Sequence, residues 1–215
     1  MFTLRSLITS ASNTTSRSLI STVSQKRTVG YLHRGSRVRG LVRDEADYLV
    51  SPKGAAYELN DTSIGPLKTL LGSKYALPDE LLLQIQTHKS FAHGSKPFNE
   101  KIAVYGQHFL KYKTTLHTIE TQGIDALGSE SAKKLISTGV LADFVRSHGL
   151  ADAIYWKKRN PLQTDVKVSG ENSVLARTCE AIVGGILLQR GKETAEQFVD
   201  EVMLKGEKSL VSLSQ

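Results

Sequence analysis

Two stretches of the sequence, residues 99–107 and 177–185, have the pattern of helices and carry one carboxylate each, Glu100 and Glu180. Carboxylates that converge from two helices are the hard oxygen ligands that Mg²⁺ prefers, and a pair of such ions can hydrolyse a phosphodiester bond. Positions i, i+3 and i+7 share one face of a helix, so positions 100, 103 and 107 form one stripe and positions 177 and 180 form another. The chemistry to weigh is therefore metal-assisted cleavage of a nucleic-acid backbone.

The order and spacing of these stretches resemble the signature of the ribonuclease III family. An apolar helix ends in Thr-His-Lys-Ser-Phe at residues 87–91 and the first stretch follows, while the second, with Glu-Ala-Ile-Val-Gly-Gly at 180–185, comes about 70 residues later. Asn-Glu before an apolar helix would, taken alone, also fit an ordinary capped surface helix. The order of all these segments favours the family, and the resemblance covers roughly residues 66–204.

The resemblance implies a set of metal ligands that this chain has mostly lost. The family carries acids at the second, fifth and ninth positions of the first stretch and two acids, three residues apart, in the second. The corresponding residues here are Glu100, Ala103, Gln107, Arg177 and Glu180. Four of these positions, all except 100, would be direct ligands, and only Glu180 keeps its carboxylate. Arg177 is a permanent cation that would repel Mg²⁺. We therefore expect an all-α, ribonuclease III-like fold with no catalysis, no bound metal and no cofactor.

Charge is distributed very unevenly along the 215 residues. The net charge is +7, yet residues 1–43 hold eight basic residues and no acid, which leaves 20 basic and 21 acidic residues in the remainder. The globular part is therefore almost neutral, unlike a nucleic-acid-binding domain with a basic face. The single cysteine, Cys179, excludes an internal disulfide, and the longest apolar run, residues 181–188, is too short to span a bilayer.

The N-terminal segment has the composition of a mitochondrial transit peptide, which we place at residues 1–30. It is rich in Ser and Thr, is basic and lacks acids, and its apolar residues Phe2, Leu4, Leu7 and Ile8 give a short helix one apolar face. A positive amphipathic helix of this kind is drawn inward by the membrane potential. We expect location in the mitochondrial matrix; the alternative is a disordered tail.

Residues 31–65 are predicted to be a basic arm followed by a linker. The arm places four arginines among Gly and Ser, namely Arg34, Arg37, Arg39 and Arg43. Such an arm can lie along phosphates, because each guanidinium releases counterions and offers a bidentate donor edge. The arginines could equally form the end of the transit peptide, and the sequence leaves both interpretations open.

Helical spacing predicts one domain over residues 66–208 and a tail at 209–215. Pro66 suits the first position of a helix, and Gly184 and Gly185 would let another helix approach closely. The third helix should turn Ile102, Tyr105, Gly106, Phe109 and Leu110 inward. The predicted helices after Pro66 span residues 78–88, 98–120, 129–137, 139–148, 172–190 and 193–208.

A second candidate RNA contact is the basic triplet Lys157, Lys158 and Arg159, which directly follows Trp156. An aromatic ring can stack on a base while neighbouring cations hold phosphates. In the alternative interpretation the ring belongs to the core and the triplet is a solvated loop.

Together these features resemble the fungal mitochondrial large-subunit ribosomal proteins that contain a ribonuclease III-like domain. The resemblance implies a structural component that contacts mitochondrial rRNA and other large-subunit proteins, and that pairs with another ribonuclease III-like protein. No double-stranded-RNA-binding domain is expected after the last helix. Two alternatives remain: a catalytically inactive accessory subunit in mitochondrial RNA processing, and a nuclease that uses a rearranged metal site with Glu100 and Glu180.

Overall fold

Helices make up nearly all the regular structure of residues 49–158 and 169–215, the part of the chain that the computed structural model describes. This confirms the all-α prediction. Short 3₁₀ turns join some of the helices, and two isolated bridges, Val50 with Ala56 and Thr87 with Tyr155, are the only β-type pairings in these residues. The helices are α1 Asp61–Leu71, α2 Asp79–Gln86, α3 Glu100–Gln122, α4 Glu130–Leu135, α5 Thr138–Ser147, α6 Glu171–Arg190, α7 Lys192–Phe198 and α8 Leu210–Leu213.

Several predicted features lie outside the described residues. They are the transit peptide at 1–30, the arm with Arg34, Arg37, Arg39 and Arg43, the first part of the linker, and Arg159 of the basic triplet. Among the residues that are described, no helix combines the length and the apolar character needed to cross a bilayer.

The centre of the fold is α6, which packs mainly against α3 and α5 and also contacts α2 and α7. Side chains are buried on every side of α6, and Ala181, Val183 and Ile186 have no exposed surface at all. The sequence of residues 172–190 is apolar nearly all round, and this pattern predicts a helix that is enclosed by other elements, as it is here. Cys179 belongs to this core, and burial raises the pKa of its thiol, as expected for an inert side chain.

Glycines allow α3 and α6 to cross with their backbones in contact. A Cβ atom at Gly106 would overlap the carbonyl oxygen of Glu180 and would lie 2.5 Å from the nitrogen of Gly184. A Cβ atom at Gly184 would overlap the carbonyl oxygen of Ile102. Gly185 serves the neighbouring contact, since a Cβ there would lie 2.7 Å from Cδ1 of Ile85. The close approach predicted from Gly184 and Gly185 is confirmed.

The first helix begins five residues earlier than predicted. It starts at Asp61, and Pro66 lies inside it rather than at its first position. The N–H of Asn60 donates to the Ser63 hydroxyl (3.2 Å), and this hydroxyl donates to the Glu58 carbonyl (2.7 Å), which fixes the start upstream. Pro66 therefore removes one main-chain hydrogen bond within the helix, and burial of Ile64 on the added turn helps to offset that loss.

The inward face of α3 also differs from the prediction. Ile102, Gly106 and Leu110 are buried as expected, but Tyr105 is 48% exposed and Ala103 is completely buried. The contact with α6 selects the stripe through positions 102, 103, 106 and 110, and position 105 projects away from this stripe.

The C-terminal region is packed more tightly than the predicted tail suggests. The helix predicted at 193–208 changes after Phe198 into a π-helical turn, Val199–Leu204. The short helix α8 follows, contacting α5 and the π-helical turn, and its Leu210 is fully buried. The Ser209 hydroxyl caps this helix by accepting from the Ser212 N–H (3.2 Å). The packed region therefore continues past residue 208.

Gly106→Ala tests the importance of the backbone crossing. Because the added methyl group would overlap main-chain atoms that cannot rotate away, we expect a loss of at least about 2 kcal/mol in the free energy of unfolding, measured by urea denaturation. Gly139→Ala in α5 is the control, since a Cβ there meets nothing within 4 Å. The control should change stability by no more than about 1 kcal/mol, in the stabilising direction. Equal effects of the two substitutions would contradict a tight crossing.

Candidate functional site

The start of α3 is anchored by the segment that follows α2. The main-chain N–H of Asn99 donates to the Thr87 carbonyl (2.9 Å), and its side-chain amide donates to the Ile85 carbonyl (2.9 Å). The Thr87 hydroxyl in turn donates to the Leu83 carbonyl (2.7 Å). Asn99 is only 1% exposed, so these bonds fix where Glu100 begins the helix.

His88 has a structural role in the segment that follows α2. Its N–H donates to the Tyr155 carbonyl (2.9 Å), which joins the end of α2 to the strand-like residue before Trp156. The imidazole Nδ1 accepts from the Ser90 N–H (3.2 Å), so a neutral ring carries its proton on Nε2. Burial lowers the pKa of His88, and the charges of Lys89 and Arg177 lower it further against the opposing effect of Glu100.

Glu100 is paired with a cation of the same chain. Nζ of Lys89 lies 2.7 Å from Oε1 of Glu100, and both side chains are partly exposed. This hydrogen bond is the main reason that the pKa of the Glu100 carboxyl is lowered, and the charges of Lys89 and Arg177 act in the same direction. The carboxylate is therefore ionised, and one of its oxygens already has a partner.

Glu180 is paired with a second cation, at greater depth. Nη1 of Arg177 lies 3.0 Å from Oε2 of Glu180, whose side chain is 7% exposed, compared with 36% for Arg177. Burial raises the pKa of the Glu180 carboxyl, and the Arg177 charge and hydrogen bonds from Arg177 and Gln107 oppose this effect. Gln107 therefore reaches the same carboxylate from α3, across the glycine-mediated crossing.

The two carboxylates lie in neighbouring clefts that share Ser173 and Arg177. The cleft of Glu100 has a volume of about 210 Å³, and that of Glu180 about 220 Å³. The first is lined by His88, Lys89, Asn99, Glu100, Ser173 and Arg177, and the second by Gln107, Thr138, Ser173, Ala176, Arg177 and Glu180.

This arrangement does not fit a Mg²⁺ ion. In the part of the chain that the structure describes, no three side chains of His, Cys, Asp or Glu come together as a metal-binding group. Arg177 lines both clefts, so a divalent ion shared by Glu100 and Glu180 would meet a fixed positive charge. Ala103 is completely buried and supplies only a methyl group. Arg177 lines one cleft with Glu100 and the other with Gln107 and Glu180, and both carboxylates form ion pairs within the chain.

The basic triplet shows a mixed outcome. Trp156 is 6% exposed and belongs to the core, so its ring is not available for stacking on a base. Nζ of Lys158 lies 6.0 Å from the centre of the Trp156 ring, and Lys157 is exposed. The two lysines thus remain candidates for phosphate contacts.

An exposed apolar surface on α3 and α6 was missed at the level of sequence. Its members Val104, Tyr105, Tyr112 and Leu188 are between 41% and 57% exposed. Beside them lies a shallow groove of about 280 Å³ that is lined by Tyr105, His108, Phe109, Tyr112, Leu187 and Lys192. Positions 105, 109 and 112 follow helical spacing, but the prediction turned Tyr105 inward together with Phe109; only Phe109 packs against the core. We call Val104, Tyr105, Tyr112 and Leu188 the outer apolar surface.

Comparison with known proteins identifies similar chains of two kinds. The family model for ribonuclease-III-like domains matches residues 78–206. A large ribosomal subunit protein, mL57, of Neurospora crassa is 26% identical over 155 residues, which are 62% of this chain and 57% of that protein. Ribonuclease 3 of Mycolicibacterium paratuberculosis is 32% identical over 143 residues, with the same coverage of 62% and 57%. The chain thus spans less than two thirds of the length of these relatives.

Solved structures with this fold include the nuclease domain of ribonuclease III from Campylobacter jejuni. One structure of that domain gives a TM-score of 0.53 with 23% identity and covers 71% of this chain and 96% of the nuclease domain. It is described as showing flexibility in a region of that protein involved in dimer formation. A second structure gives a TM-score of 0.51 with 26% identity, covering 63% and 90% of the two chains.

Arg177→Gln tests the internal ion pair through its dependence on pH. Burial raises the folded-state pKa of Glu180 above its ordinary value of 4.5, so the ionised form opposes folding and stability falls as pH rises through the folded-state pKa. Removing Arg177 raises that pKa further. We therefore expect urea denaturation to show a loss of about 1–3 kcal/mol near neutral pH, because Arg177 is partly exposed, and little loss below pH 4.5.

The double variant Arg177→Gln/Glu180→Gln is the control for this measurement. It leaves no unpaired carboxylate, so it should recover most of the stability lost near neutral pH and should remove the added pH dependence. A single variant whose loss of stability is the same at acidic and neutral pH would show that the ion pair does not hold Glu180 in its charged form.

Proposed function

Because the chain belongs to the ribonuclease-III-like family, we propose that it is a non-catalytic structural protein of the mitochondrial large ribosomal subunit. In this role it contacts mitochondrial rRNA and neighbouring large-subunit proteins. The observation that carries the proposal is the ion pair of Arg177 and Glu180, in which the chain's own guanidinium lies where the resemblance implies a metal ligand.

The substitutions favour loss of metal binding over rearrangement of the metal site. A rearranged site built on Glu100 and Glu180 would have to displace Lys89 from one carboxylate and Arg177 from the other. It would then have two carboxylates in separate clefts, with Arg177 between them. Phosphodiester hydrolysis by two Mg²⁺ ions needs several oxygen ligands around shared ions, which these residues do not supply.

Similarity to a large ribosomal subunit protein and the composition of residues 1–30 together support the proposed location. The ribonuclease 3 relatives share the helical scaffold, so the scaffold alone does not separate an enzyme from a structural protein. The separation rests on the site, where Ala103, Gln107 and Arg177 replace three carboxylates that the resemblance implies.

Contacts with rRNA are assigned in this proposal to basic residues at the edges of the neutral domain. They are Arg34, Arg37, Arg39 and Arg43 of the arm and Lys157, Lys158 and Arg159 of the triplet. Phosphate contacts of this kind fix position and orientation without reading sequence, which suits a protein that has one permanent location on a folded RNA.

Pairing with another ribonuclease III-like chain is the second part of the proposal. The outer apolar surface exposes two tyrosines and two aliphatic side chains on adjacent helices, beside an apolar groove. Large apolar side chains that are exposed near an apolar groove on a folded protein are typical of a protein interface. The surface lies on α3 and α6, which form the most extensively packed pair of helices in the described part of the chain.

An accessory subunit in mitochondrial RNA processing is the alternative, and it would use the same features. A catalytically inactive domain could bind and support a catalytically active partner through the outer apolar surface. The two functions differ in abundance and in association, since a ribosomal protein is present in one copy per subunit, whereas a processing factor is present in much smaller amounts.

Gradient sedimentation of a mitochondrial lysate tests the proposed function. We expect the protein, followed by immunoblot, to migrate with the large ribosomal subunit at moderate and at high salt, because a structural protein is held by packed protein contacts as well as by phosphates. Its amount should match that of known large-subunit proteins. Migration as a small complex free of rRNA would reject the ribosomal function and favour the processing factor.

Leu188→Asp tests the proposed pairing surface. Placing a charge in an apolar interface should reduce by at least about tenfold the recovery of a second ribonuclease III-like chain with the tagged protein, as measured by quantitative mass spectrometry. Ile124→Asp is the matched control, because Ile124 is 69% exposed but lies outside the outer apolar surface. Pairing that survives Leu188→Asp, or that is lost equally in both variants, would contradict the assignment of this surface.

A further inference from the structure

Arg177 keeps donor groups that the ion pair with Glu180 does not use. Only Nη1 of its guanidinium bonds to Glu180, and Nε and Nη2 have no hydrogen-bond partner in residues 49–158 and 169–215. The side chain is 36% exposed and lines the cleft of Glu100 as well as that of Glu180. A guanidinium fixed on one edge and open on the other is suited to an anion with paired oxygens.

Other donors line the cleft of Glu100 together with Arg177. Lys89 lines it with an ammonium group that bonds to Glu100 through one of its three donors. The neutral His88 ring carries its proton on Nε2, since Nδ1 accepts from Ser90. Ser173 adds a hydroxyl group to the same wall. Four donor side chains, each of a different chemical kind, therefore line one cleft of about 210 Å³.

The electrostatic environment of this cleft favours negative charge. Lys89 and Arg177 both lower the pKa of His88, and both lower the pKa of Glu100, so their fields reach across the cleft. Glu100 is the one acidic side chain in its lining. The two ion pairs balance in charge overall, but Glu180, the partner of Arg177, lines the neighbouring cleft, so two cations and one carboxylate line this one. A metal ion in this cleft would be repelled and a phosphate attracted.

We propose that the cleft lined by Lys89, Ser173 and Arg177 binds a backbone phosphate of RNA. In this proposal the cleft beside the positions where the resemblance implies metal ligands binds an anion. This adds one phosphate contact to those of the arm and the basic triplet. The inference rests on the proposed docking on RNA, and it assigns a contact to the neutral domain itself.

The experiment compares charge-balanced variants of the full chain in binding to a fluorescently labelled short RNA duplex, followed by anisotropy over a range of salt concentrations. Lys89→Gln/Glu100→Gln and Arg177→Gln/Glu180→Gln each remove one cation and one carboxylate, so long-range attraction to RNA is preserved. Lys68→Gln/Asp79→Asn is the control. It removes a comparable surface ion pair, with 2.8 Å between the charged atoms, and neither residue lines the cleft. Thermal melting verifies that every variant is folded.

Both cleft variants should bind the duplex about tenfold more weakly than the unmodified chain. The slope of the logarithm of the binding constant against the logarithm of salt concentration should decrease by the amount expected for about one phosphate contact. The control pair should bind like the unmodified chain. The Lys89 variant alters an exposed ion pair, so its result stands even if the Arg177 variant is unstable. Unchanged affinity and salt dependence in the Lys89 variant, or no binding of duplex by the unmodified chain, would overturn the inference.

This outcome is independent of the gradient experiment. Normal sedimentation with the large subunit combined with unaltered binding by the cleft variants would reject the anion site and leave the proposed function in place. Weakened binding by the cleft variants combined with sedimentation as a small complex would support the anion site and reject the ribosomal location.

Discussion

The contact between the backbones of α3 and α6 is the constraint on which the rest of the structure depends. Gly106 and Gly184 have no side chains to separate the helices. A Cβ atom added at either position would overlap main-chain atoms of the other helix. This crossing fixes the rotation of α3. It buries Ala103, brings Gln107 to Glu180, and turns Tyr105 outward. The rotation of α3 therefore determines both which residues line the site and which apolar residues are exposed.

Ion pairs within the chain explain how the fold accommodates the carboxylates of Glu100 and Glu180. A carboxylate such as Glu180, 7% exposed, needs a compensating charge or a proton. Arg177 supplies that charge from the same helix, three residues away, and Lys89 does the same for Glu100 from the preceding segment. Cations attached to the chain are always present, whereas an ion from solution must be bound. Both carboxylates are therefore engaged in ion pairs within a scaffold of the ribonuclease-III-like family.

The described surface separates possible contacts by their physical character. The outer face of α3 and α6 is apolar and suited to another protein, while the clefts at Arg177 and the lysines after Trp156 are polar. The domain as a whole is almost neutral, and the excess positive charge of the chain is in residues 1–43. Such a division lets the folded domain pack among proteins while basic extensions and local clefts contact phosphates.

The sequence by itself determined the helical class, the central position of α6 and the close approach at Gly184 and Gly185, because periodicity and glycine positions are local properties. That Ala103, Gln107 and Arg177 replace three carboxylates is what the resemblance to the family implies. The sequence also indicated that the aromatic ring before the basic triplet could belong to the core. It misplaced the start of α1, since a cap formed by Asn60 and Ser63 outweighed Pro66 as a helix-start signal, and it assigned Tyr105 to the core. Only the tertiary structure decided which stripe of α3 faces α6, that Gln107 reaches Glu180 from α3, and that an apolar surface is left outside. Those outcomes depend on the rotation of one helix against another, which is set by contacts between residues far apart in the chain.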